Sequence, residues 1–164
     1  MGKWWYDTAQ ICTNGHVTNP CSGSEPERNA KFCDKCGAPT ITSCQDCNTT
    51  IKGYHHTPGL VDIGYRYTPP SFCPDCGKPY PWTEAKLKAA RELTDLLEGL
   101  SQEEREILKK SFGDIVRDTP QTKVAAAQFK RLAAKVGKIA AEQLRELVVD
   151  IASETAKKII LESK

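Results

Sequence analysis

Three cysteine pairs in this chain have two residues between their members: Cys33/Cys36, Cys44/Cys47 and Cys73/Cys76. Each pair is followed at once by Gly37, Asn48 or Gly77. Two thiolates at that spacing reach adjacent corners of a tetrahedron, with metal–sulfur bonds of about 2.3 Å. The residue after the second cysteine of such a turn often enters left-handed backbone, which Gly tolerates freely and Asn better than most. The same two-part pattern, met three times, points to zinc. The rival staple is the disulfide, which belongs to oxidising compartments. The opening MGKWWYDTAQIC lacks the apolar run of a signal peptide. The expectation is therefore a cytoplasmic chain stapled by metal.

The residues are unevenly spread. All 8 Cys and all 3 His lie between Cys12 and Cys76, while the chain beyond Trp82 is rich in Ala, Leu, Lys and Glu. A first half with so few aliphatic residues cannot build a large core and needs a staple. The boundary is expected near Pro79–Trp82, giving a double zinc-ribbon region over 1–81 and an α-helical region over 82–164. The fold class expected is α+β: tandem zinc ribbons with short β-hairpins, then a helical bundle. The net charge is only +2, which disfavours a strongly basic nucleic-acid binder. No apolar run is long enough for a membrane span.

Cys44, Cys47, Cys73 and Cys76 read as a complete four-cysteine ribbon. Between them, Thr49–Tyr54 and Val61–Tyr67 read as its two strands, the second by its alternation of Val61, Ile63, Tyr65 and Tyr67 with Asp62, Gly64 and Arg66. Cys33 and Cys36 then need two partners. Cys12 and His16 flank a tight Asn14-Gly15 turn that can present both side chains to one ion. Cys21 in place of His16 is the rival set, and a crossed pairing of Cys33/Cys36 with Cys73/Cys76 is a further alternative. Sequential pairing gives two Zn2+ per chain: Cys12, His16, Cys33 and Cys36 on one, and Cys44, Cys47, Cys73 and Cys76 on the other.

The segments YDTAQIC, NGH, KFCDKCGAPTIT, IKGY, FCPDCGKPYPWTEA and SETAKK resemble a bacterial family of tandem zinc-ribbon proteins, classed as domain of unknown function 2321. The resemblance runs from about Trp5 to Lys158. It implies Cys12 and His16 as paired ligands, leaves Cys21 outside the motif, and implies no activity.

In the second half, Thr83 with Glu84 reads as a helix start, and Ser101 with Glu104 as a capping box opening a second helix. Asp118-Thr119-Pro120 punctuates, and a long helical region follows to about Leu161 with a break near Gly137. Ala133, Gly137 and Ala141 stand four apart, a spacing that suits close helix approach. Ile139, Ile159, Ile160 and Leu161 widen the apolar surface, which leaves room for a homodimer through these helices. Lys123, Lys130, Arg131, Lys135 and Lys138 form a basic stretch without an acidic residue, and Tyr54, His55, His56, Tyr65, Arg66 and Tyr67 an aromatic and basic insert. Closed four-ligand zinc sites hold folds together and do no chemistry. No metalloprotease helix motif, phosphate loop or nucleophile elbow occurs. The leading expectation is a non-enzymatic zinc protein that scaffolds a protein-binding surface. The alternative is a nucleic-acid binder using the helix over 123–138 or the insert over 54–67.

Overall fold

The computed structural model describes residues 3–59 and 66–162. The chain divides into two compact units, Met1–Thr83 and Glu84–Lys164. The architecture is α+β, with small antiparallel sheets in the first unit and helices in the second.

In the first unit, strands β1 (Trp5–Thr8), β2 (Gln10–Cys12), β3 (Val17–Asn19), β4 (Thr40–Ile41) and β5 (Lys52–His56) form two sheets. One has the order β3-β2-β4, the other pairs β1 with β5. The second pairing is antiparallel, with Trp5 opposite His56 and Tyr6 opposite His55, and it carries a bulge between Tyr6 and Thr8. This departs from the expected ribbon. The strand beginning near residue 52 pairs with the start of the chain, and Arg66 and Tyr67 lie in no strand. The remainder of the expected Val61–Tyr67 strand falls on residues outside those described. A small core of Ala9, Ile11, Ile51, Tyr80 and Trp82 gathers around Cys44 and Cys73. Tyr80 and Trp82 stack at 4.6 Å, and Trp82 Nε1 donates to Pro70 O at 2.9 Å.

The helices are α1 (Pro81–Leu96), α2 (Gln102–Val116), α3 (Thr122–Ala133), α4 (Lys138–Val149) and α5 (Glu154–Leu161). Helix α1 starts two residues before the expected cap. Proline suits a first helical position because its missing N–H would lack an intrahelical partner there anyway. The Thr83 hydroxyl is used elsewhere, donating to Ser71 O at 2.9 Å. Ser101 does cap α2, in a full capping box with Glu104. The expected long helical region is three helices. Gly137 sits at the N-cap of α4 in extended backbone, and Ser153 caps α5 by accepting from Ala156 N. Gly137 therefore makes no close helix crossing, and a Cβ added there would meet nothing within 4 Å.

The second unit buries Leu108, Phe112, Ile115, Phe129, Leu132, Leu144, Val148 and Ile160 in one core. Phe112 and Phe129 meet edge to face at 6.3 Å. Ile160 is thus spent internally and Ile159 packs against the same core, so of the four residues expected to widen the apolar surface only Ile139 and Leu161 are exposed. Among the described residues no helix is long and apolar enough to cross a membrane.

Candidate metal centres

The three Cys-x-x-Cys turns are built identically. The first cysteine N–H donates to the carbonyl five residues on: Cys33 to Ala38, Cys44 to Thr49 and Cys73 to Lys78, each at 2.8 Å. The residue after the second cysteine donates back to the first cysteine's carbonyl, and it has positive φ in every case: Gly37 at 69°, Asn48 at 61° and Gly77 at 72°. A single bridge closes each turn, Phe32 with Pro39, Ser43 with Thr50 and Phe72 with Pro79. The Cys12–His16 turn is different. Gly15 N donates to Cys12 O at 2.8 Å, and His16 N donates to Cys12 Sγ at 3.2 Å.

The fold brings these turns together in two groups, Cys12/His16 with Cys33/Cys36 and Cys44/Cys47 with Cys73/Cys76, and each group could hold a metal ion. Cys12, Cys33, Cys44 and Cys73 are buried, while Cys36 and Cys76 at the turn tips are exposed. All eight cysteines are free of disulfides.

Donor spacing tests whether zinc fits. Tetrahedral zinc with sulfur at about 2.3 Å and nitrogen at about 2.0–2.1 Å has sulfur–sulfur edges of about 3.8 Å and sulfur–nitrogen edges of about 3.5 Å. In the first group Cys12 Sγ stands 3.8 Å from Cys36 Sγ and 3.5 Å from His16 Nδ1, and Cys33 Sγ is 3.6 Å from His16 Nδ1. In the second, Cys44 to Cys76 is 3.7 Å and Cys47 to Cys73 is 3.6 Å. The donor sets and the spacings suit zinc at both places.

The electrostatics agree. The backbone N–H of Ala38 and the Asn14 amide stabilise the Cys36 thiolate and lower its pKa to about 6. The N–H of Cys76 does the same for Cys73, also to about 6. At Cys76 the N–H of Lys78 favours the thiolate, but local desolvation among the neighbouring groups and the sulfurs of Cys47, Cys73 and Cys44 outweigh it and push the thiol up to about 12. Four sulfurs this close repel as anions, and a dication relieves that repulsion. Burial and then the Cys73 sulfur push the Tyr80 hydroxyl well above its usual range.

Several contacts supporting the sites carry no spacing signal in the sequence. Asn14 Nδ2 donates across the first group to Cys36 Sγ at 3.5 Å. In the second group the Thr49 hydroxyl donates to Asp75 at 2.8 Å and Lys78 Nζ to Asp46 at 2.6 Å, which ties the two turns to each other. Such outer contacts orient metal ligands. Cys21 joins neither group; it lies near Asp7 and His56.

The other expected surfaces are partly engaged. Of the basic stretch, Lys135 pairs with Glu104, and Lys130 Nζ donates to the carbonyls of Ile159 and Glu162. Of the aromatic insert, Tyr65 falls outside the described residues and the Tyr67 hydroxyl donates to Lys52 O at 2.6 Å. His55 and His56 instead join an aromatic group that begins at Trp4. Trp4 and Tyr6 meet at 6.1 Å, and His55 lies 5.4 Å from the first and 4.8 Å from the second.

No curated protein and no solved structure is significantly similar to the chain. The model of the family described as "Uncharacterized protein conserved in bacteria (DUF2321)" matches residues 5–160. That match takes in both donor groups and reaches into the last helix, and the chain belongs to this family.

Proposed function

We propose that this is a two-zinc interaction protein. Zinc at Cys12/His16/Cys33/Cys36 and at Cys44/Cys47/Cys73/Cys76 holds the first unit folded, and that unit presents an aromatic face to a protein partner in the cytoplasm. Closed four-donor sites leave no position for substrate, so the zinc ions are structural. The single observation that carries the partner reading is the exposure of consecutive aromatics leading into β1: Trp4 at 60%, Trp5 at 50% and Tyr6 at 49%. A small unit short of core residues would bury such side chains if their purpose were internal packing. Aromatic residues left outside in a group are what interfaces are enriched in.

Elemental analysis of the purified chain tests the first part, with about two equivalents of zinc expected. Copurification from the native host tests the second. A defined partner retained by the wild-type chain and lost from a Trp4→Ala/Tyr6→Ala variant of unchanged zinc content supports it; a partner retained equally by both removes it.

One observation favours a nucleic-acid reading in second place. Lys52 Nζ stands 5.3 Å from the centre of the Tyr6 ring, and an exposed ring beside a cation also suits base stacking. Anisotropy titrations with single-stranded DNA and RNA at increasing salt separate the two. Binding that is lost with Trp4 and Tyr6 and falls steeply with salt favours the second reading.

A further inference from the structure

We propose that Asp7, Cys21 and His56 form a third metal site, separate from the two four-donor groups. It would take a zinc-class divalent cation through three protein ligands and leave a fourth position to water or an exogenous ligand.

A sulfur, a carboxylate oxygen and an imidazole nitrogen from these residues all lie within 4.8 Å of one another. They come from three separate segments: Asp7 from β1, His56 from the end of β5 and Cys21 from the loop after β3. His56 Nε2 is 3.2 Å from Asp7 Oδ2. Nitrogen and oxygen ligands at about 2.0–2.1 Å on neighbouring tetrahedral corners stand about 3.3 Å apart, so this edge already has its bound length. A thiol relay would need a different layout. There the sulfur and the carboxylate use opposite nitrogens of the imidazole, whereas here one ring nitrogen of His56 lies within 4.8 Å of both the sulfur and a carboxylate oxygen.

Each donor is held by a shell of its own. Asp7 sits at the bulge in β1, a device that re-aims a side chain. Its Oδ1 accepts from Thr8 N at 2.6 Å and Gly23 N at 2.8 Å, and its Oδ2 accepts from the Ser24 hydroxyl. The Asp7 side chain is only 3% exposed and already faces His56 at ion-pair distance, so a bound cation would take over the pairing of this buried carboxylate. The His56 ring is clamped between a stacked Trp5 at 4.5 Å and an edge-on Tyr54 at 4.9 Å. Cys21 N donates to Oδ1 of the fully buried Asn19 at 3.0 Å, and the Asn19 amide is anchored on Glu25 O and Asn29. The Cys21 loop is drawn onto β5 where Tyr54 N donates to Pro20 O at 2.8 Å. That approach needs Gly53, since a Cβ there would stand 2.2 Å from Pro20 O. On binding, the Cys21 S–H bond is replaced by a sulfur–metal bond and the proton goes to solvent. Three ligands rather than four make this cation the most exchangeable of the three.

The test uses the full-length chain with its tightly held zinc in place. The alkylation rate of each cysteine is mapped by peptide mass spectrometry with and without added zinc. With free zinc about tenfold above the site's Kd, Cys21 alkylation should slow about tenfold, while the other cysteines keep their rates. Elemental analysis under the same buffered zinc should give about three equivalents for the wild type and about two for Cys21→Ser and Asp7→Asn. An unchanged Cys21 alkylation rate in the wild type overturns the proposal without reliance on any variant. So does a third equivalent that survives Cys21→Ser. A total below two would instead count against the two-zinc reading, so the two failures are distinguishable.

Discussion

The two units solve the same problem with different materials. The second buries Leu108, Phe112, Ile115, Phe129, Leu132, Leu144, Val148 and Ile160 against one another. The first has a core of Ala9, Ile11, Ile51, Tyr80 and Trp82, completed by Cys44 and Cys73. Its buried sulfurs occupy places that aliphatic side chains fill in the helical unit. A thiol contributes little hydrophobic area, so on the two-zinc reading proposed above the stability missing from that core comes from the ions these sulfurs would hold. Structure is local in the second unit, helix by helix. In the first it depends on joining turns far apart in sequence, such as Cys44/Cys47 with Cys73/Cys76.

The largest effect that follows is metal removal. Structural zinc contributes on the order of 10 kcal/mol or more in small domains, and the first unit has only a small apolar core to set against its loss. All three tryptophans, Trp4, Trp5 and Trp82, lie within Met1–Thr83, so their emission reports on that unit. A strong chelator should shift the emission of Trp82, the buried one of the three, to that of a solvated ring, while most of the helical circular dichroism persists. Loss of the helical signal in parallel would show that the helices depend on zinc too, and the contrast between the units would fail.

The reverse experiment perturbs the helical core. Phe112 is 1% exposed and packs edge to face on Phe129. Phe112→Ala should cost about 3–5 kcal/mol, read as a lower thermal midpoint of the helical signal. Zinc content and tryptophan emission at room temperature should not change. A tryptophan transition that moves down with the helical one would make the two units one cooperative block.

How much of this could be read beforehand differs between the units for the same reason. In the first, the turn itself was legible, because a Cys-x-x-Cys followed by Gly or Asn is complete within five residues. The pairing of β1 with β5 was not. It joins segments more than 40 residues apart, and the alternation of Val61 to Tyr67 offered a nearer partner. The meeting of Asp7, Cys21 and His56 was hidden for the same reason, since it depends on that pairing and on a bulge. In the second unit the Ser101 capping box was legible as a four-residue pattern. The helix break near Ser153 is masked in the sequence, because an apolar stripe at helical spacing continues through Ile151 and hides the Ser153 cap behind it.

That cap gives a smaller effect. Ser101 accepts from Glu104 N at 3.2 Å, and Ser101→Ala should cost about 1 kcal/mol. The loss should fall on the helical transition and leave metal content alone.

The smallest effect concerns the one Cys-x-x-Cys turn that lacks glycine. Gly77 at φ 72° has nothing within 4 Å of where a Cβ would stand, so Gly77→Ala carries only the backbone penalty of left-handed geometry, about 1–2 kcal/mol. Asn48 occupies the equivalent place at φ 61°. Asn48→Gly removes what remains of that strain. It also gives the unfolded chain more freedom, which costs about 0.4–1 kcal/mol. The two terms oppose each other, and the net change in stability at fixed free zinc should lie within about 0.5 kcal/mol of zero. Asn48→Ala should behave like Gly77→Ala. If Asn48→Gly proves as costly as Asn48→Ala, the Asn48 side chain has a role at the second site beyond tolerating the turn. The three turns would then be alike in backbone but not in what holds them.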